Sequence, residues 1–124
     1  MKETKILKEP KIFSDSYQAS IQVFHRTQNF PKALRPTVDR RLEEATLDCL
    51  VNIRKATLSH SSMKIKYLMA ASEALDAFRT YSQIAKDLGA LNLAGFDELS
   101  GYTKEIGKQL GGLLKHERPK SNTP

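Results

Sequence analysis

The sequence predicts an all-α fold, an antiparallel up-down-up-down four-helix bundle. Three observations predict it. Four stretches repeat apolar residues at threes and fours, short turns punctuated by Pro, Gly or Ser separate them, and no stretch alternates apolar with polar as a half-buried strand would. With 124 residues the chain is one domain, large enough to bury roughly two thirds of its unfolded surface. Helices joined by short connections pack as antiparallel neighbours, and a bundle covers all four apolar stripes.

The elements follow in order. Residues 1–13 are expected to be a basic extension, residues 14–116 the bundle and residues 117–124 a disordered polar tail. The first helix is expected from Ser14 to Gln28, capped by Ser14 or Asp15, with Tyr17, Ile21 and Phe24 as its apolar stripe. It stops before Phe30-Pro31. The second begins near Thr37, because Pro36 suits a helix entrance and pushes Arg35 away from helical geometry. Its core stripe is Val38, Leu42, Ala45, Cys49, Ile53 and Ala56. Leu47, Leu50, Val51 and Leu58 widen the apolar arc beyond what one bundle buries, so this helix either meets another subunit or occupies a central position.

The polar run Ser59-His60-Ser61-Ser62 ends the second helix and caps the third, expected from Met63 to Leu88. Ile65, Leu68, Ser72, Leu75, Phe78, Ser82 and Ala85 form its seam, and Gly89 breaks the pattern. Asn92 caps the fourth helix, whose face reads Phe96, Leu99, Thr103, Ile106, Leu110 and Leu113 or Leu114. Gly107 and Gly111 each cost about 1 kcal/mol inside a helix, which points to a close approach by a neighbouring helix or subunit.

No arrangement for chemistry emerges. His25, His60 and His116 sit on different elements and build no metal face. Cys49 lies on the apolar stripe of the second helix as a small hydrophobe, and a single cysteine forms no internal disulfide. The closest carboxylates, Glu43-Glu44 and Glu73 with Asp76, read as solvated faces, and Arg40 and Glu44 as a surface pair of about 0.3 kcal/mol. GYTKEIGKQLGG resembles the ends of a phosphate-binding loop, but its spacing is one residue too long and Gln109 stands where a hydroxyl is required. No window approaches the ~20 apolar residues of a membrane span, and the first residues lack the apolar core of a signal peptide, so a cytoplasmic location is expected.

What remains is charge. Twenty Lys and Arg against 14 Asp and Glu give a net charge of +6, which favours a polyanionic partner. Lys32, Arg35, Arg40 and Arg41 gather at the entrance of the second helix, Arg54 and Lys55 at its exit, and Lys64 and Lys66 just beyond the turn. Arg79 and Lys86 share a face of the third helix, and Lys104, Lys108 and Lys115 share one on the fourth. Such lines suit phosphate tracking, and equally suit plain solvation. No aromatic platform for stacking bases accompanies them.

FPKALRPTVDRRLEEATLDCLVNIRKA, KIKYLMAASEALDAFRTYSQIAKDLGALN and FDELSGYTKEIGKQLGGLLK, in that order, resemble the accessory variability determinant (Avd) family of diversity-generating retroelements. The resemblance spans Tyr17 to Lys115. It is carried by Phe30-Pro31-Lys32, by Leu75-Asp76 with Arg79, and by Glu105-Ile106-Gly107 leading to Gly111-Gly112. It implies a pentameric barrel of four-helix bundles with no catalytic activity or cofactor of its own. The implied partners are the element's reverse transcriptase and nucleic acid, template RNA or its cDNA hybrid. Many relatives carry tryptophan after the paired glycines where this chain has Leu113. A second resemblance is to the four-helix-bundle proteins of 23S ribosomal RNA intervening sequences, which share the Phe-Pro turn. The segments Arg40-Arg41-Leu42-Glu43 and Asn52-Ile53-Arg54-Lys55-Ala56 depart from that pattern.

Overall fold

The computed structural model describes residues 9–121. Four helices, α1 (Lys11–Thr27), α2 (Arg40–Thr57), α3 (Ser61–Asp87) and α4 (Leu93–Ser121), make an all-α bundle with no strand among the described residues. Contacts between elements fix the directions. Arg26 near the end of α1 pairs with Glu98 near the start of α4, whereas Asp15 near the start of α1 meets Gln109 farther along α4. Thr27 meets Glu43 and Ser20 meets Thr46 across α1 and α2, and Arg79 meets Thr103 while Lys64 meets Glu117 across α3 and α4. Neighbours in sequence are therefore antiparallel, and α1 closes the ring against α4.

The core is a single cluster built on Leu42, Ile53, Leu68, Leu75, Phe78, Leu99, Ile106 and Leu110, all essentially inaccessible. Leu42, Ala45, Cys49, Ile53 and Ala56 are buried as the second stripe predicts, and so are Leu68, Leu75, Phe78, Ser82 and Ala85 of the third. Asn92 caps α4, its Oδ1 accepting the Gly95 N–H at 2.7 Å. Gly89, with φ +80°, supplies the left-handed residue that turns α3 into the loop, and the N–H groups of Ala90 and Leu91 both reach the Ala85 carbonyl.

The structure differs from the sequence expectations at five places. First, α1 starts at Lys11, so residues 11–13 belong to the bundle and not to an extension. Pro10 precedes it in extended geometry, and its carbonyl takes the N–H groups of Phe13 and Ser14, so no side-chain cap is used. Second, the core face of α1 is Ile12, Ser16, Ala19, Ser20, Val23 and Thr27, while Tyr17 and Ile21 remain exposed at 48% and 38%. Third, Arg35 is helical despite the proline after it. The connection tightens into a 3₁₀ turn at Lys32–Leu34 and widens into a π turn at Arg35–Asp39, where the Arg40 N–H reaches back to the Arg35 carbonyl. A π turn relaxes the crowding that Pro36 would cause in an α-helix.

Fourth, the serine cluster provides no side-chain cap for α3. The Ser59 hydroxyl donates instead to the Lys55 carbonyl at 2.8 Å and finishes α2. Fifth, α4 runs on to Ser121 through the stretch expected to be a tail, and Glu117 is buried there with Lys64 Nζ 3.7 Å away. Residues 122–124 of that expected tail, and residues 1–8 of the expected extension, lie outside the described residues.

Candidate nucleic-acid interface

The bundle separates the 13 predicted cations into groups. At one end, Lys32, Arg35, Arg40 and Arg41 gather around the α1–α2 connection, with Lys86 contributed by the last turn of α3. At the other end stand Arg54, Lys55, Lys64, Lys66 and Lys115. Between them Arg79, Lys104 and Lys108 occupy the middle of α3 and α4. No one surface contains them all.

Several are engaged within the fold. Arg79 lies across Gly107, donating to the Asp76 carboxylate at 2.9 Å and to the Thr103 carbonyl at 3.1 Å. Arg54 stacks its guanidinium 3.7 Å from the Phe13 ring centre and pairs with Glu9 at 3.0 Å. Lys55 faces the Tyr67 ring and Lys86 the Phe96 ring, at 5.6 and 4.5 Å. Lys64 meets Glu117, Arg35 lies 3.6 Å from Asp39, and Arg40 pairs with Glu44 at 3.2 Å as predicted. Lys32, Arg41, Lys66, Lys104, Lys108 and Lys115 make no ion pair among the described residues.

The last three of these define a line. Lys104, Lys108 and Lys115 are exposed on the outer face of α4, and Gly101 and Gly111 fall on the same stripe at helical spacing. A Cβ at Gly101, Gly111 or Gly112 would meet nothing within 4 Å, so no neighbouring helix approaches them. Close approach explains Gly107, beneath Arg79, but not Gly111. Because α4 continues past the predicted boundary, exposed Arg118 extends the stripe by one turn, a residue that assignment to a tail had hidden. From Gly101 to Arg118 the stripe is about 25 Å long at 1.5 Å per residue.

The flank of α4 that faces α1 has the opposite character. Glu98 takes two hydrogen bonds from Arg26, at 2.9 and 2.5 Å, above Gly95. Lys11 lies between Asp15 and Glu105 at 2.8 and 3.1 Å, and hydrogen bonds to these two carboxylates raise its pKa. Burial opposes ionisation of Asp15, but donors from Lys11 and Gln109 outweigh it and lower its pKa. Thus α4 divides an acidic, internally paired flank from a basic one that has no ion pair among the described residues.

The α1–α2 side is apolar. Phe13, Tyr17 and Ile21 recur every fourth residue along α1, and Leu47, Val51, Arg54 and Leu58 form the corresponding line on α2. The Arg54–Phe13 contact joins the two lines. Exposures of 41%, 48% and 74% for Leu47, Val51 and Leu58 remove α2 from a central position in the bundle.

The remaining chemistry-bearing groups are inert or isolated. Burial pushes the Cys49 thiol up to about 12, with Arg79 opposing weakly, so the nucleophilic thiolate is suppressed. No group of three metal-ligating side chains occurs among the described residues. Asp39, on the π turn, was not legible as special in the sequence. Both of its oxygens are buried without a hydrogen-bond partner among the described residues. Burial first, and Glu43 second, raise its pKa to about 6 against the influence of Arg35. Glu43 itself accepts the Thr27 hydroxyl at 2.6 Å.

No protein-family model matches the sequence, and no curated protein matches it. Solved structures do. A 1.70 Å crystal structure of a protein of unknown function from the S23 ribosomal protein family of Bacteroides thetaiotaomicron is similar with a TM-score of 0.75 at 13% identity. The match covers 84% of this chain and 98% of that one. At that identity the likeness shows the fold, an all-helical bundle. No helix among the described residues is long and apolar enough to cross a membrane.

Proposed function

We propose that this protein is a non-catalytic accessory protein of a diversity-generating retroelement, of the Avd type. In this reading it works in the cytoplasm, binds template RNA or its cDNA hybrid and holds it for the element's reverse transcriptase. The observation that carries the reading is the stripe of Gly101, Lys104, Lys108, Gly111, Lys115 and Arg118 on α4. Unpaired cations spaced by exposed glycines let a phosphate backbone come close to the helix and displace counterions, without base-specific contacts. The apolar α1–α2 side supports a homo-oligomer, a pentameric barrel in which that side is covered by the next subunit. Repetition of the stripe around a ring would add avidity to a weak individual contact.

The test is mass by light scattering, alone and with single-stranded RNA at physiological salt. A pentamer that shifts to a heavier complex is expected. Lys104→Glu with Lys108→Glu should weaken RNA binding and flatten the salt dependence by about 0.7 in log–log slope per lost contact, with helicity unchanged. Arg40→Glu with Arg41→Glu tests the α1–α2 end in the same way. A 14.0 kDa monomer that ignores RNA would end the proposal.

The structural neighbour favours a second reading, since its name places it in the S23 ribosomal protein family. A four-helix-bundle protein of the 23S intervening-sequence type would share this fold and the Phe30-Pro31 turn, where Phe30 is buried at the end of the bundle. Co-purification with a reverse transcriptase selects the first reading. Binding confined to ribosomal RNA fragments selects the second.

A further inference from the structure

A groove of about 360 Å³ runs between α3 and α4. Arg79 and Lys104 line it together with Ser82, Gln83, Phe96, Leu99, Ser100 and Thr103, and none of these lining residues carries a carboxylate. Arg79 is not a loose surface cation. Asp76 on one side and the Thr103 carbonyl on the other hold its guanidinium plane in place. Lys104 has no ion pair among the described residues. Lys86 stands behind the Phe96 ring at 4.5 Å with Asp87 3.7 Å from its ammonium, so the local balance remains positive.

Ser82 singles this groove out. Helical hydroxyls ordinarily donate one turn back, as Thr80 does to Asp76 and Ser20 to Ser16. Ser82 is 3% exposed, yet its Oγ has no hydrogen-bond partner among the described residues. A buried hydroxyl left unpaired is destabilising, and this one belongs to the wall of a groove that already holds two cations. Unsatisfied donors beside fixed positive charge are what an incoming oxyanion satisfies.

We propose that the α3–α4 groove binds a small phosphate-bearing organic anion. Its phosphate sits between Arg79 and Lys104, with the Ser82 and Ser100 hydroxyls donating to its oxygens, and its body lies against Phe96. A rigid planar fork beside a flexible ammonium suits a tetrahedral dianion. The volume lies in the range of small-molecule sites, and the aromatic wall calls for an organic body beyond the phosphate. This goes beyond the RNA reading and does not rest on it, because the ligand is a free small molecule and Ser82 lies off the α4 stripe.

The test is titration of the ¹⁵N-labelled full chain with uridine monophosphate and, separately, with inorganic phosphate, following amide shifts. Saturable changes at Ser82, Phe96, Ser100 and Lys104 are expected, at lower concentration for the nucleotide than for phosphate. Ser82→Ala should weaken nucleotide binding about tenfold, the loss of one hydrogen bond to a charged group. The same variant should leave the ligand-free melting temperature unchanged or higher, since its hydroxyl has no partner to lose. Lys104→Gln should weaken binding without moving the ligand-free stability. Shifts spread evenly along the α4 lysines and indifferent to Ser82→Ala would overturn the proposal. So would equal affinity for inorganic phosphate, or a Ser82→Ala protein that melts lower and binds as before. Failure here with RNA binding intact removes the groove alone, whereas nucleotide binding without RNA binding removes the accessory reading alone.

Discussion

The α1–α2 side and the outer face of α4 are two surfaces of one bundle with opposite compositions. The first exposes Tyr17, Ile21, Leu47 and Val51; the second carries lysines and glycines with no large apolar group between them. Neither composition serves an isolated bundle. Exposed bulky apolar side chains leave burial energy unrealised, and each glycine in a helix interior costs about 1 kcal/mol relative to alanine. Departures from the most stable choice concentrate where a surface has another task. In the reading proposed above, the two sides would meet different partners, one apolar and one anionic.

The most severe way to break the comparison is to charge the apolar side. If the proposed oligomer forms, Leu47→Asp with Val51→Asp should convert it into monomers of 14.0 kDa while the helical circular dichroism stays as it was, because both positions are exposed in the single bundle. RNA affinity should fall with the loss of multivalency, although no cation has been touched. An unchanged mass would show that this side is not the subunit interface.

Next in size is the carboxylate buried where α1 meets the start of α2. Asp39 has its folded pKa raised from 3.8 to about 6. The folded state therefore holds the extra proton between these values. This contribution to stability is full below about 4 and is lost as pH rises through about 6. Asp39→Asn, which cannot ionise, should melt several degrees higher than the parent at pH 7.5 and close to it at pH 4. Thermal melts at the two pH values check this; a parent protein that stabilises on going from pH 4 to pH 7.5 at this site would contradict the sign.

Two glycines of α4 sharpen the contrast at about 1 kcal/mol. Gly111→Ala meets nothing within 4 Å and should stabilise by about 1 kcal/mol, or roughly 3 to 6 °C. Gly107→Ala gains the same propensity but displaces the Arg79 guanidinium from the Thr103 carbonyl, so its net effect should be zero or a loss of up to about 1 kcal/mol. Equal melting temperatures for the two variants would remove the distinction between a packing glycine and an exposed one.

How far the sequence carried each region follows the size of its side chains. The seams of α2, α3 and α4 were legible because Leu, Ile and Phe mark the buried face. On α1 four of the six buried positions are Ser16, Ala19, Ser20 and Thr27, small residues that carry little hydrophobic signal, and the bulky Tyr17 and Ile21 are exposed. Periodicity there reported the outer surface instead of the core. The end of α4 was hidden by Pro119, which reads as a terminator although the helix passes through it. For the site, the alignment of Lys104, Lys108 and Lys115 followed from spacing alone. The engagement of Arg79 and Arg54 depended on Thr103 and Phe13, residues 24 and 41 positions away, and no local pattern encodes such contacts.

The smallest effect expected comes from Arg40, which the sequence placed with the α1–α2 cations. Its pair with Glu44 lies one turn along the same helix with both side chains more than half exposed, so water and salt screen it and both chains lose rotamer freedom in forming it. Arg40→Ala should lower stability by about 0.3 kcal/mol or less, at the limit of a thermal melt. Because that pair is nearly neutral for the fold, the same variant reads the binding role of this end cleanly. A several-fold loss of RNA affinity without a shift in melting temperature would extend the basic surface from α4 to the start of α2. Unaltered affinity would confine it to the α4 stripe, and the contrast between the two sides would then be complete.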